Sequence, residues 1–161
     1  VVELWKERHG DARVLDATVA AGYEVVWTTP DWYLDYEINL GGSLTQLVHD
    51  WQNVYAVEPF ANSSTSAAAL SRAVLGGEVC AWAPYNDGTN FLSQVFPRAA
   101  AAAERLWSAR GATQDALAAE PRLHAWRCAL LRRGIATPPV GGFADSYCVD
   151  GPVHFEYRPP Y

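Results

Sequence analysis

Residues Gly76–Gly111 read GGEVCAWAPYNDGTNFLSQVFPRAAAAAERLWSARG, and this stretch sets the grammar of the chain. An apolar run, VLGGEVCAW at 74–82, reads as a buried strand and ends in a tryptophan. A Pro/Asn/Gly loop follows, then a helical pattern from about Thr89 to Ala109, with Pro97 inside it to kink or split it. Working outward, VELW opens the chain as a strand. DARVLDATVAAG follows as a short helix, with Val14, Leu15 and Val19 on one side and Gly22 stopping it. YEVVWTT is a β-branched and aromatic run of the kind buried on both faces of a sheet. PDWYLDYEINLGG is an aromatic-rich loop, and an irregular stretch leads to STSAAALSRAV, a helix entered through hydroxyl caps. A second long helix is expected from about Thr113 to Arg133, with Pro121 as a point of division. Beyond Gly134 the sequence is loop.

Strand, helix, strand, helix, strand, helix is the order of a parallel α/β domain. Three strands cannot close a barrel, so the expectation is either a small open sheet or the last portion of a larger (β/α) barrel. The strand ends discriminate. Trp5, the segment from Trp27 through Trp32, Tyr33, Leu34 and Asp35, and Trp82 all fall at or just past the carboxyl end of an expected strand. That is the rim where barrel enzymes build active sites. Aromatic walls with a few carboxylates suit a pyranose, whose C–H faces lie on rings and whose hydroxyls bond to acids. Trp27, Trp51, Trp107 and Trp126 are read as packing residues. His9, His49, His124 and His154 form no pattern and take surface or packing roles.

Composition excludes other classes. The chain has 161 residues, half of them apolar, which is ample for one core. A net charge of −6 gives no electrostatic footprint for nucleic acid. The basic Arg132–Gly134 stretch closes a helix, where cations offset the dipole. No apolar run reaches the roughly 18 to 20 residues that cross a bilayer. The chain opens directly on VVELW and reads as cut from something larger. Three cysteines show no metal-type spacing, and no metal or cofactor site is expected. Cys128 and Cys148 suit a disulfide pinning the tail in an oxidising compartment, and Cys80 reads as a buried thiol outside it. Asn62-Ser63-Ser64 is a glycosylation sequon.

At GGEVCAW, YNDGTN, PRAAAAAERLWS and RCALLRRGI the sequence resembles the β-N-acetylhexosaminidases of glycoside hydrolase family 20, in their eukaryotic lysosomal-type form. VELW, AGYEVVWTTPDWYLD and NVYAVEP add to the resemblance, in order and at compatible spacing, over nearly the whole chain up to Cys148. It implies that residues 1–161 are the C-terminal segment of a (β/α)8 TIM barrel, supplying about strands six to eight and the closing helices. Residues 1–112 would be barrel, and 113–161 the closing helix and disulfide-pinned tail. It further implies retaining, substrate-assisted hydrolysis of terminal β-linked GlcNAc or GalNAc from glycoconjugates, in which the 2-acetamido oxygen attacks the anomeric carbon. The family's orienting Asp and acid Glu lie on an upstream strand absent from this chain. The partner is therefore the N-terminal part of the same enzyme, the assembly a dimer of subunits, and the location lysosomal or secreted.

Carried over by motif, Tyr33 bonds to the acetamido oxygen, Asp35 meets outer hydroxyls, and Trp5 and Trp82 wall the sugar. Family subunits that accept sulfated sugars have Asn-Arg where this chain has Asp35-Tyr36, so neutral substrates are implied. Cys128 and Cys148 match the family disulfide, and Cys80 matches its unpaired buried cysteine. Glu78 matches a structural position. One departure stands out: Ala83-Pro84 replace a Gly-Glu whose carboxylate holds the 4- and 6-hydroxyls, a loss of about 1.5 to 3 kcal/mol. Asp87, three residues on, is the nearest substitute. The competing readings are a catalytically impaired binding or structural subunit of the same family, motivated by Pro84, and a free-standing small α/β domain.

Overall fold

A computed structural model describes residues 1–6, 12–34, 50–58, 60–82, 86–141 and 147–148. Three short strands, β1 (Val2–Leu4), β2 (Val25–Trp27) and β3 (Val74–Gly77), pair in parallel in the order β1-β2-β3. Helix α1 (Arg13–Ala20) connects the first pair, and α2 (Asp50–Ala56) with α3 (Ala67–Ala73) lies between the second. After β3 come α4 (Phe91–Val95), α5 (Arg98–Trp107) and the long α6 (Ala116–Arg132).

Register places Val2 beside Val25 and Leu4 beside Trp27. Because side chains alternate along a strand, these four share one face. Leu4, Val25 and Trp27 are buried there against Leu15, Trp51, Val54, Leu70 and Ala102. Glu3 and Leu75 point away from that core and are exposed. Among the described residues, the sheet thus has one face under helices and one face with exposed side chains, and β1 and β3 have no outer strand partner. A register shift at Val25/Val26 leaves Leu75 unpaired opposite β2.

Local chemistry explains the elements. Helix α1 stops at Gly22, whose φ of +83° is a conformation that only glycine adopts freely, and Tyr23 N–H closes the turn on the Thr18 carbonyl. Ser66 caps α3 by accepting from Ala69 N–H. Pro97 divides the expected helix into α4 and α5. Pro121 does not divide α6, because it faces solvent, where water can take the bond its ring denies to the preceding turn. Asp115 caps that helix by accepting from Leu117 and Ala118 N–H.

Three expectations are corrected. The irregular stretch before residue 60 contains α2, a seven-residue helix whose Trp51, Val54 and Tyr55 recur at helical spacing and are fully buried. Its partner α5 presents Ala101 and Ala102, small enough for those rings to approach closely. Trp107 does not pack: at the last residue of α5 its side chain is 91% exposed. Val14 is exposed as well, leaving Leu15 as the buried residue of α1. His9, His49 and His154 lie outside the described residues.

Charged side chains tie the helical layer together. Arg105 donates to the Thr113 and Val57 carbonyls and pairs with Glu58 at 3.2 Å, while Arg110 reaches the same carboxylate at 3.1 Å. At the C-terminal side, Cys128 on α6 is joined to Cys148 by a disulfide, as expected. Arg127, buried beside it, donates to the Thr137 and Pro138 carbonyls and to the Cys148 sulfur. Burial lowers its pKa from the ordinary guanidinium value. No described helix is long and apolar enough to cross a membrane.

Candidate active site

Parallel strands end on the same side of a sheet, so whatever follows β1, β2 and β3 gathers along one rim. Trp5 comes one residue after β1. Beyond β2, Thr29 caps a 3-10 turn over Pro30–Trp32, accepting from Asp31 N–H, and the backbone then leaves it extended at Tyr33. Alternation through this segment sends Trp32 and Leu34 into the core, each 2% exposed, and leaves Tyr33 at the rim. Trp32 is locked by its indole N–H, which donates to the Val54 carbonyl at 3.0 Å. The backbone after β3 continues alongside: Cys80 bridges Tyr33 in parallel, and Leu34 N–H donates to the Cys80 carbonyl at 2.7 Å. Two residues later Trp82 arrives at the same place.

The three rings meet. Trp82 lies 6.1 Å from Trp5 and 6.1 Å from Tyr33 between centroids, tilted to the first and edge-on to the second. Both tryptophans stay open to solvent, at 43% and 63% exposure. That is unusual for the largest apolar side chains and suits a surface kept for a ligand. The Tyr33 hydroxyl donates to the Trp5 backbone carbonyl at 2.5 Å, and the Lys6 ammonium stands over the Trp5 ring at 4.5 Å. Such a cluster can offer apolar ring faces, one phenolic donor and a nearby cation.

The other expected site residues fare differently. Asp35 lies outside the described residues, as do Ala83 and Pro84. Asp87 is engaged in its own turn, accepting from Thr89 N–H and Oγ1, bonds that hold its carboxyl below the ordinary aspartate range. Glu78 is exposed on the backbone leading from β3, its N–H donating to the Trp27 carbonyl. Cys80 is outside the disulfide but only half-buried, not buried as expected, and its backbone carbonyl serves the rim. Asn62 is exposed in a turn whose Ser63, Ser64 and Thr65 all donate to Asp16. His124, Cys128 and Cys148 bring donor atoms within 4.8 Å of one another, but the disulfide occupies both sulfurs.

Sequence reasoning missed Arg98. It is the first residue of α5, 3% exposed, with Nη2 donating to the Leu34 carbonyl and Nε to the Gln94 carbonyl at 3.2 Å. A signal was available: a cation at the start of an alanine-rich helix opposes the helix dipole and needs another reason to be there.

The profile of glycosyl hydrolase family 20, catalytic domain, matches residues 1–110. The chain is 36% identical over 140 residues to the mouse beta-hexosaminidase subunit beta, covering 87% of this chain and 24% of that protein. It is 37% identical over 142 residues to the rat beta-hexosaminidase subunit alpha, covering 87% and 25%. Among solved structures, a chitobiase from Flavobacterium johnsoniae superposes with a TM-score of 0.65 at 28% identity, over 83% of this chain and 19% of that one. The chain thus spans about a quarter of the length of the curated relatives it matches.

Proposed function

Because the chain belongs to glycosyl hydrolase family 20, we propose that it is the C-terminal segment of a β-N-acetylhexosaminidase barrel. It contributes strands six to eight, residues 1–112, and a closing helix and pinned tail, residues 113–161. The observation that carries this reading is the meeting of Trp5, Tyr33 and Trp82 at the carboxyl rim of three parallel strands. The open sheet face and the two outer edges lend it support, since both are surfaces that further strands would cover.

In this reading a terminal GlcNAc or GalNAc lays its pyranose face and acetamido methyl against the two indoles, and Asp35 receives its outer hydroxyls. The acetamido oxygen attacks the anomeric carbon to give an oxazolinium ion, while an acid supplied from outside this chain protonates the departing oxygen. Tyr33 has one hydroxyl proton. That proton goes to the Trp5 carbonyl, so an acetamido oxygen that Tyr33 is to hold must take its place as acceptor. The exchange keeps one hydrogen bond for another. It also fixes the nucleophilic oxygen where the developing positive charge is spread, a positioning contribution.

The reaction needs the remainder of the barrel, so the chain by itself is inactive and works beside the N-terminal part of the same enzyme, in a dimer of subunits. A disulfide fits a lysosomal or secreted setting, and the exposed Asn62 fits a glycan there. The test is kinetic. In the complete protein, Tyr33→Phe lowers kcat on a chromogenic N-acetyl-β-glucosaminide by roughly 10²- to 10³-fold, with thermal stability nearly unchanged. A wild-type kcat in that variant would end the assignment. Absence of turnover in the complete wild-type protein would favour the impaired binding subunit that Pro84 suggests.

A further inference from the structure

We propose that Arg98 is a positioning residue for Tyr33: it pins the carbonyl of the next residue, Leu34, and so holds the phenol against the Trp82 indole and the Trp5 carbonyl. This rests on the reading of Tyr33 given above. A guanidinium that is 3% exposed is costly unless its donors are satisfied. Three bonds from Arg98 fall on backbone carbonyls, two on Gln94 one turn before and one on Leu34 across the fold.

The Leu34 bond completes a clamp. The N–H of Leu34 donates to the Cys80 carbonyl at 2.7 Å, and its C=O accepts from Arg98. With both ends of residue 34 held, and with Trp32 anchored through its indole to the Val54 carbonyl, the torsions about Tyr33 have little freedom. The direction in which its side chain leaves the backbone is then fixed by the start of α5. That helix is in turn packed on α2 through Ala101 and Ala102. A displacement of about 1 Å at a reacting group can cost ~100-fold in rate, and residue 34 is the place where such a displacement would arise. Lysine retains the charge but not the planar fork, so it cannot serve two carbonyls on different segments in the same geometry.

A double-mutant cycle in the complete protein separates positioning from bulk stability. Arg98→Lys is expected to lower kcat by roughly 10- to 100-fold while KM stays within about threefold, because substrate contacts at the indoles remain. In a Tyr33→Phe background the same change is expected to lower kcat by less than about twofold, since the group it positions no longer acts. Full additivity of the two substitutions, or a wild-type kcat in Arg98→Lys, overturns the proposal. Arg98→Gln serves as the second variant. If neither Arg98 variant yields folded protein, the residue acts in folding and the proposal is likewise overturned. A Tyr33→Phe enzyme with wild-type turnover would instead strike the functional reading itself, so the two failures are distinct.

Discussion

Tyr33 donates to a backbone carbonyl of the strand end it faces, and that bond makes the site a matter of exchange as well as of presence. Trp5→Phe keeps the carbonyl and removes only indole surface. Its expected effect is a KM raised roughly tenfold with a smaller change in kcat, measured by steady-state kinetics. A second residue-scale expectation concerns Asp16. Its carboxylate accepts from Ser63, Ser64 and Thr65 side chains and from Ser64 N–H, which together hold its pKa well below the ordinary aspartate range. A depressed folded pKa gives stability that is present above the unfolded value, ~3.9, and is lost only as pH falls through the folded one. The loop is therefore fastened throughout the mildly acidic range. Asp16→Asn should lower Tm by a similar amount at pH 7 and pH 5, as followed by circular dichroism. The sequon was visible in the sequence, but its fastening was not, since Asp16 lies 48 residues from Ser64 and no local pattern joins them.

At the scale of elements, β2 and β3 approach so closely that position 77 must be glycine. A Cβ there would meet the Trp27 carbonyl oxygen at 2.5 Å and the Trp32 ring at 2.7 Å. Neither can give way, one being backbone and the other anchored to Val54. Gly77→Ala should cost about 1 to 3 kcal/mol, read from denaturant unfolding, and should disturb the rim because Trp32 precedes Tyr33. Cys148→Ser should cost about 2 to 4 kcal/mol on the loop-entropy argument, with the loss falling on the tail against α6. The alternation of strand and helix was legible from periodicity, as was the break at Pro97. Helix α2 was not, because seven residues with three core positions look like any short apolar patch between loops. Trp107 misled for the opposite reason: a helix end can carry its largest ring into solvent, and periodicity says nothing about where the neighbouring layer stops.

Among the described residues, the molecule has a sheet with helices on one side only, two outer edges without strand partners, and an aromatic rim at one end. The rim was legible because parallel topology alone sends all three strand ends to one side, and the family motifs then named the residues there. The link from Arg98 to the rim was hidden because its partner Leu34 lies 64 residues away in the chain. The central claim is that this rim is one side of a sugar site completed by the rest of a barrel. The most direct measurement is hydrolysis of a chromogenic N-acetyl-β-glucosaminide by residues 1–161 alone and by the complete polypeptide, assayed side by side at equal molarity. The account predicts turnover by the complete polypeptide and none by the isolated segment; turnover by the segment alone would contradict it.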